Sequence, residues 1–274
     1  MNCRLPVGVP SSKPQPRMLH SGQRDERMKA SAIEFRLRMA INMVIVCLGF
    51  WAPWIEAWGI GRRIPLMVWL ALELGRMGVA SFSIAMPAVI AAGAIMAGVG
   101  AALRVWGAAY LGQGTVKHGQ MKAGAVLADG PFRFVRNPLY IGLWLVFAAL
   151  SLLMPVSGAL FAMTAVTIFL LRLILGEEAF LSGQLGQPYQ EYMRAVPPLI
   201  PRFRTALPAT GRKPRWLQAL LTETTPIGIF AALAFFSWSY NDRLMAKVII
   251  VSFGLSLVTR ALLPDAGKST GRGE

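Results

Sequence analysis

Two polar stretches of this chain place charged and aromatic side chains directly beside long apolar runs. The first, GPFRFVRNPLY, carries Arg133 and Arg136, and the second, which begins GEEAF, carries Glu177 and Glu178. Arginine holds carboxylates and phosphates with a planar fork of donors, and a carboxylate accepts hydrogen bonds from amines and hydroxyls. These residue types could therefore form the edge of an active site that binds a polar ligand.

Each stretch also has a purely structural interpretation. Asn137 can cap a helix whose first residue is Pro138, and the arginines before it can bind lipid phosphates. Glu177 and Glu178 could be solvated acids at the end of a helix, although acids at that end oppose the helix dipole. Arg172 lies about one helical turn before the two acids and could pair with either of them.

The apolar segments between the two stretches predict a helical hairpin. PLYIGLWLVFAALSLLM (138–154) is followed by PVSGALFAMTAVTIFLLRLILG (155–176), and the turn between them at Pro155 carries no charge. At 1.5 Å per residue the first helix would reach about 25 Å, just enough to cross a bilayer. Its partner returns to the same surface, so Arg136 and Glu177 are expected to meet there.

The composition is that of a polytopic membrane protein. The 274 residues are 55% hydrophobic and only 15% charged, and the mean hydropathy is +0.50. The net charge of +15 is spread over the segments between apolar runs, so retention of Lys and Arg in the cytoplasm explains it better than binding of nucleic acid. With two cysteines and two histidines, no metal site is expected.

We expect an all-α fold, a membrane-embedded helical bundle whose cytosolic loops and short helices form a cofactor pocket. Segment 61–81 contains Glu73 and Arg76 and should be interfacial or re-entrant, because the basic segments then all lie in the cytoplasm. Six spans result, which begin near Met39, Phe82, Pro138, Pro155, Ile227 and Leu244.

The two stretches and their hairpin resemble the isoprenylcysteine carboxyl methyltransferase family, within the wider group that includes the phospholipid N-methyltransferases. The family pattern GPYRYVRHPxY corresponds to GPFRFVRNPLY, and GAALRVWGAAYLG (100–112) is similar to the preceding family helix. The family pattern EExxLxxxFGxxYxxY, with a closing VP…IP, is matched at Glu177, Glu178, Leu181, Gly186, Tyr189, Tyr192, Val196, Pro197, Ile200 and Pro201.

The resemblance implies a membrane methyltransferase that binds S-adenosylmethionine on its cytosolic side. Carboxylates would bind the amino group or ribose hydroxyls of this cofactor, and arginines would hold its carboxylate or an anionic acceptor. The implied catalytic residues are Arg133, Arg136 and Arg172. The implied cofactor-binding residues are Gly130, Pro131, Arg136, Asn137, Pro138, Tyr140, Glu177, Glu178, Tyr189 and Tyr192.

Three positions depart from the family pattern. Asn137 and Gly124 replace histidines, and Leu185 replaces a phenylalanine. Asparagine does not titrate near neutral pH, so an acid–base role at position 137 is lost. Loss of both histidines bears on the identity of the acceptor more than on that of the cofactor. A carboxylate acceptor needs no base, whereas an amine, thiol or phenol needs one, for which His118 or a glutamate is the candidate.

The expected partners are the membrane and a lipophilic small-molecule or lipid substrate, which would enter from the bilayer. The expected location is a bacterial inner membrane with the site facing the cytoplasm. Four regions follow: a disordered basic tail (1–35), N-terminal membrane segments (36–90), the methyltransferase core (91–204) and a C-terminal linker, hairpin and tail (205–274).

Two alternatives remain open. One is a membrane reductase similar to the NADPH-dependent sterol reductases, in which Arg202 and Arg204 would bind the extra phosphate. The other is a lipid-binding membrane protein without catalytic activity.

Overall fold

The computed structural model describes residues 30–51, 64–111, 128–203 and 211–262, and every regular element in these residues is helical. The expected all-α fold is therefore confirmed. A short 3-10 turn, Gly130–Arg133, precedes α5. The helices are α1 (Ala32–Arg36), α2 (Arg38–Phe50), α3 (Leu66–Arg76), α4 (Phe82–Leu111), α5 (Pro138–Ser151), α6 (Val156–Leu185), α7 (Gln187–Ala195), α8 (Trp216–Thr222), α9 (Thr224–Ser239) and α10 (Asp242–Leu262).

Two of the described helices, α4 and α6, are long and apolar enough to cross a bilayer, with 30 residues each. At 1.5 Å per residue each reaches about 45 Å, which exceeds the thickness of the hydrocarbon core. The pair α8 and α9 bends by 72° at its junction and would count as a third span if the two helices crossed together. The described helices thus support two or three spans, and the six predicted spans are not confirmed.

The hairpin forms, but its two arms differ in length from the prediction. Helix α5 has 14 residues and reaches about 21 Å, because the chain begins to turn at Leu152. Helix α6 continues past Glu177 and Glu178 and ends where Gly186 adopts a φ of +60°. The two acids therefore lie within α6 and not at its end, so they do not oppose its dipole at the terminus.

The turn of the hairpin packs against the start of α3, at the end of the bundle opposite Arg136. The backbone N–H groups of Leu66 and Met67 donate to the carbonyls of Met154 (2.8 Å) and Leu152 (2.9 Å). Helix α3 has 11 residues and reaches about 16 Å, too short to cross a bilayer. This length agrees with an interfacial or re-entrant segment at 61–81.

Glycines allow α4 and α5 to approach each other closely. A Cβ added at Gly142 would lie 2.6 Å from the carbonyl oxygen of Gly100 and 2.7 Å from Cγ of Arg104. Small residues at helix contacts are common in membrane bundles because they bring backbones together. The stem of Arg104 is consequently held against α5, near the start of that helix.

Helix α5 takes part in two apolar clusters and is therefore the centre of the bundle. In the first cluster Phe147 packs with residues of α2 and α6, among them Ile45 and Val166. In the second, Val146 packs with residues of α4 and α9 such as Ala97. Because both faces of α5 are covered, the position of its first turn depends on helices from distant parts of the chain.

The first described helix begins inside the stretch expected to be disordered. Ser31 and Glu34 form a reciprocal capping box at the start of α1, in which each side chain accepts a hydrogen bond from the backbone N–H of the other. The capping box therefore stabilises the start of α1, within a stretch that the sequence predicted to be disordered.

Candidate active site

Arg136 and Glu178 bring the two polar stretches together at one end of the hairpin. Nε and Nη2 of Arg136 donate to the two carboxylate oxygens of Glu178 at 3.0 and 3.2 Å, although the residues are 42 positions apart. Both side chains are largely buried, with 11% and 15% of their surface exposed. Nη1 donates to the carbonyl of Met193 at 2.7 Å. The guanidinium is thus held by α6 and α7 at once.

Asn137 belongs to the same network, and its side chain does not cap α5. Its buried Nδ2 donates to Oε1 of Glu178 (3.0 Å) and to the carbonyl of Pro198 (3.2 Å). Helix α5 has no side-chain cap hydrogen bond from this residue. The amide therefore links α5 to α6 and to the chain after α7, which contradicts the capping role that the Asn-Pro pair suggested.

Two backbone contacts fix the segment after α7 against the first polar stretch. The N–H of Arg136 donates to the carbonyl of Pro197 at 2.9 Å, and the N–H of Arg202 donates to the carbonyl of Phe134 at 2.9 Å. The closing Val-Pro and Ile-Pro pairs of the second stretch thus lie alongside the first stretch.

Tyr140 and Glu177 form a second contact between the hairpin arms. The Tyr140 hydroxyl donates to Oε2 of Glu177 at 2.8 Å, and within the described residues Oε1 of this carboxylate has no hydrogen-bond partner. Arg38 of α2 lies close enough to act electrostatically on Glu177, and its guanidinium also stacks 4.5 Å from the ring centre of Phe35. Arg38 was not among the residues assigned from the sequence, because it stands far outside the two stretches.

Tyr189 and Tyr192 are buried on α7, with ring centroids 5.8 Å apart. The Tyr192 hydroxyl donates to the carbonyl of Phe132 at 2.8 Å, so this side chain ties α7 to the 3-10 turn. Burial raises the pKa of both phenols above the ordinary range, and in Tyr189 the nearby Glu178 carboxylate raises the pKa further. Both tyrosines are therefore neutral at physiological pH.

The 3-10 turn packs against the end of α4. Gly130 has a φ of +56°, and a Cβ at this position would overlap the ring of Tyr110, so both the backbone conformation and the available space require glycine. Pro131 is fully buried, and Phe134 lies 6.2 Å from Trp106 between ring centroids. These contacts orient the turn whose last residue is the half-buried Arg133.

Arg172 pairs with a residue that the sequence did not indicate. Its Nη2 donates to both carboxylate oxygens of Glu34 at 3.0 Å, and its carbonyl accepts from the N–H of Ala30 at 3.0 Å. The expected partner was Glu177 or Glu178. Because α1 lies beside this part of α6, its own acid satisfies the arginine, and the hydrogen bond from Arg172 lowers the pKa of Glu34.

Arg104 and Glu223 form a further buried ion pair near the same end of the bundle. Nε and Nη2 of Arg104 donate to the Glu223 carboxylate at 2.6 and 3.0 Å, and Nη1 donates to the carbonyl of Leu139 at 3.1 Å. Arg104 lies in the stretch 100–112, which is similar to the preceding helix of the family pattern. No motif marked Glu223, because its partner is more than a hundred residues away. His118, Gly124 and Arg204 lie outside the described residues.

Comparison with known proteins confirms the resemblance. Residues 88–188 match the family model for phospholipid methyltransferases, a range that contains Arg136, Asn137, Tyr140, Glu177 and Glu178. A curated methanethiol S-methyltransferase of Crocosphaera subtropica is 41% identical over 70 residues, 26% of this chain and 27% of the relative. The match thus spans only about a quarter of the relative's length. No solved structure matches the chain.

The apolar helices support an integral membrane protein, and both matches are to methyltransferases. The matched range begins in α4, includes the 3-10 turn, α5 and α6, and ends at the second residue of α7. Over residues 88–188, therefore, the chain is similar to the phospholipid methyltransferase family.

Proposed function

We propose that this protein transfers the methyl group of S-adenosylmethionine to a lipophilic acceptor at the membrane. The observation that carries the proposal is the meeting of Arg136, Asn137 and Tyr140 with Glu177 and Glu178 at one end of the hairpin. The family match and the methyltransferase relative support the reaction type.

The donors and acceptors of the site fit the polar parts of this cofactor. Glu177 keeps one carboxylate oxygen for an amino group or a ribose hydroxyl, and Tyr140 holds the other oxygen in place. The buried rings of Tyr189 and Tyr192, on α7, pack with Ala128 and with Leu181 of α6, and Glu178 is near Tyr189. When bound, S-adenosylmethionine supplies an electrophilic methyl group on its sulfonium.

Arg136 is assigned a positioning role in this proposal. Its guanidinium already makes two hydrogen bonds to Glu178 and one to the carbonyl of Met193, so it orients the carboxylate and anchors α7. A ligand carboxylate would have to displace Glu178 to gain the same fork. Gly130, Pro131, Asn137 and Pro138 would shape the site through the backbone of the 3-10 turn and of the first turn of α5.

The charges of the site favour an acceptor that is neutral before reaction. Three described arginines, Arg104, Arg136 and Arg172, are each paired with a glutamate, so an anionic acceptor would compete with carboxylates of the chain. A thiol, an amine or a phenol loses a proton on methylation, and a glutamate or His118 is the candidate base. The methanethiol S-methyltransferase name of the relative is that of an enzyme acting on a thiol. A carboxylate held by Arg133 is the alternative acceptor.

The direct test uses the full chain purified in detergent. Incubation with radiolabelled S-adenosylmethionine and a membrane lipid extract should give a labelled lipophilic product, and isothermal titration should show binding of S-adenosylhomocysteine. Acid and base stability of the label would distinguish a methyl ester from a thioether or amine. Tight binding of NADPH with no binding of S-adenosylhomocysteine would favour the reductase alternative, and binding of neither would favour a lipid-binding protein.

The site is proposed to face the cytoplasm of a bacterial inner membrane. The basic segments flank the candidate site on both sides, with Arg133 and Arg136 before α5 and Arg212, Lys213 and Arg215 before α8. Lys and Arg are retained on the cytoplasmic side of membrane proteins. Labelling of a cysteine introduced at Lys213 in intact and in permeabilised cells tests this orientation.

A further inference from the structure

The buried ion pair of Arg104 and Glu223 connects the matched domain to helices outside it. Glu223 stands at the junction of α8 and α9, where the chain bends by 72°, and lies beyond the matched range 88–188. Only 4% of its side chain and 17% of that of Arg104 are exposed. Next to this pair, the N–H of Arg215 donates to the carbonyl of Ala109 at 2.8 Å, which attaches the start of α8 to the end of α4.

The same arginine also holds the first turn of α5. Its Nη1 donates to the carbonyl of Leu139, the residue directly before Tyr140, while its stem lies against Gly142 one turn further on. Glu223 accepts from the other two nitrogens of the guanidinium, Nε and Nη2, and so fixes the direction of Nη1. A continuous series of hydrogen bonds therefore connects Glu223, at the bend between α8 and α9, through Arg104 to the turn of α5 that carries Tyr140. Tyr140 in turn orients Glu177.

Stability alone gives a poor account of this arrangement. Burial of two charges costs desolvation energy, and well-packed apolar residues in place of a buried ion pair often leave stability unchanged or raise it. The hydrogen bond to Leu139 is the contact that apolar residues would not reproduce. A role in positioning the site explains why charges are placed here.

We propose that Arg104 and Glu223 are positioning residues of the methyltransferase site, through which the C-terminal helix pair sets the orientation of the α5 turn that carries Tyr140. The inference rests on the proposed function. It extends the site beyond residues 88–188 to a carboxylate at position 223.

The test measures binding of S-adenosylhomocysteine to the full chain in detergent, together with thermal unfolding. In the double variant Arg104→Leu/Glu223→Leu we expect native-like thermal stability but an affinity at least about tenfold lower, the size expected for one lost charge-assisted hydrogen bond. Glu223→Gln, which keeps the shape of the side chain, should also lower the affinity. Arg76→Ala removes an exposed pair of α3 and should change neither quantity.

The outcomes separate the two proposals. If the wild-type chain binds S-adenosylhomocysteine and the double variant binds it equally well, the positioning role is wrong and the proposed function stands. If the wild-type chain does not bind it, the proposed function fails and the inference fails with it. Should the double variant not fold, native affinity in folded Glu223→Gln and Arg104→Lys would overturn the positioning role on its own.

Discussion

The hydroxyl of Tyr140 donates a hydrogen bond of 2.8 Å to Glu177, so the first turn of α5 and the C-terminal part of α6 share one polar contact. Tyr140 stands two residues after Pro138 of the Asn-Pro pair, and Glu177 begins the acidic pair of the second stretch. The contact fixes the orientation of the Glu177 carboxylate and leaves one of its oxygens for a ligand.

Replacement of Tyr140 by Phe should lower the affinity for S-adenosylhomocysteine about tenfold or more, because Glu177 loses the hydrogen bond that orients it. The same bond contributes about 1.5–3 kcal/mol to the fold, so the melting temperature should fall as well. Isothermal titration on the purified chain measures this factor. Tyr240→Phe, at an exposed tyrosine after α9, is the matched control and should bind as the wild type does. Equal affinity in Tyr140→Phe would remove Tyr140 from the site.

Replacement of Glu178 by Ala should destabilise the fold strongly. Arg136 would remain buried without its two hydrogen bonds, and removal of one partner of a buried pair costs about 3–5 kcal/mol. Asn137 would lose a partner as well. Thermal unfolding in detergent measures the effect, with Glu73→Ala as the control, since Glu73 pairs with the exposed Arg76 and should cost less than about 1 kcal/mol. Similar shifts in both variants would show that the Arg136 pair is energetically a surface pair.

Replacement of Gly142 by Ala should separate α4 from α5. The new Cβ would approach the carbonyl oxygen of Gly100 to 2.6 Å, so one helix must move, at a cost of about 1–3 kcal/mol. Gly183→Ala provides a control within α6, where a Cβ would meet nothing within 4 Å. The control should be neutral or stabilise the chain by up to about 1 kcal/mol, because alanine favours helix. A destabilisation of equal size in both variants would contradict close packing at Gly142.

Replacement of Tyr192 by Phe should lower the folding stability at neutral pH and reduce the loss of stability at alkaline pH. The variant loses the hydrogen bond to the carbonyl of Phe132, worth about 1 kcal/mol. The pKa of Tyr192 is raised by burial above its ordinary value of 10.0, so above that pH the unfolded chain ionises first and stability falls as pH rises. We expect melting temperatures measured between about pH 8 and pH 11 to fall less steeply with pH in Tyr192→Phe than in the wild type. Parallel curves would show that the phenol does not contribute.

The pair of Arg172 and Glu34 should make a small contribution that is lost in acid. The hydrogen bond from Arg172 lowers the pKa of Glu34 below its ordinary value of 4.5, so the contribution is present above pH 4.5 and disappears as pH falls through the lower, folded-state value. Both side chains are about a third exposed, which limits the effect to less than about 1 kcal/mol. Glu34→Gln should therefore narrow the gap between melting temperatures at neutral and acidic pH, and an unchanged gap would contradict the pair.

The hairpin could be predicted because its signals are local. Pro155 stands in an uncharged turn between two apolar segments, and an apolar segment in a membrane satisfies its backbone hydrogen bonds by forming a helix. The same logic predicts that Arg136 and Glu177 lie at one end, since the second arm must return to the first surface. The structure places Arg136 beside Glu178 and Tyr140 beside Glu177.

The helix boundaries and the number of spans were harder to predict. No residue between Gly176 and Leu185 stops a helix, so α6 continues through the two acids until Gly186, although the fall in hydropathy suggested an earlier end. The chain turns at Leu152 because its carbonyl and that of Met154 pair with the start of α3, a contact that hydropathy does not reveal.

The sequence by itself determined the helical class, the hairpin and the grouping of the two polar stretches, because apolar length, proline and charge act within a few residues of where they stand. Only the tertiary structure decided which acid each arginine holds. Arg172 binds Glu34, Arg104 binds Glu223 and Asn137 turns from the helix end to Glu178. Ion pairing depends on the distance between side chains in space, and helices distant in sequence bring these particular partners within reach.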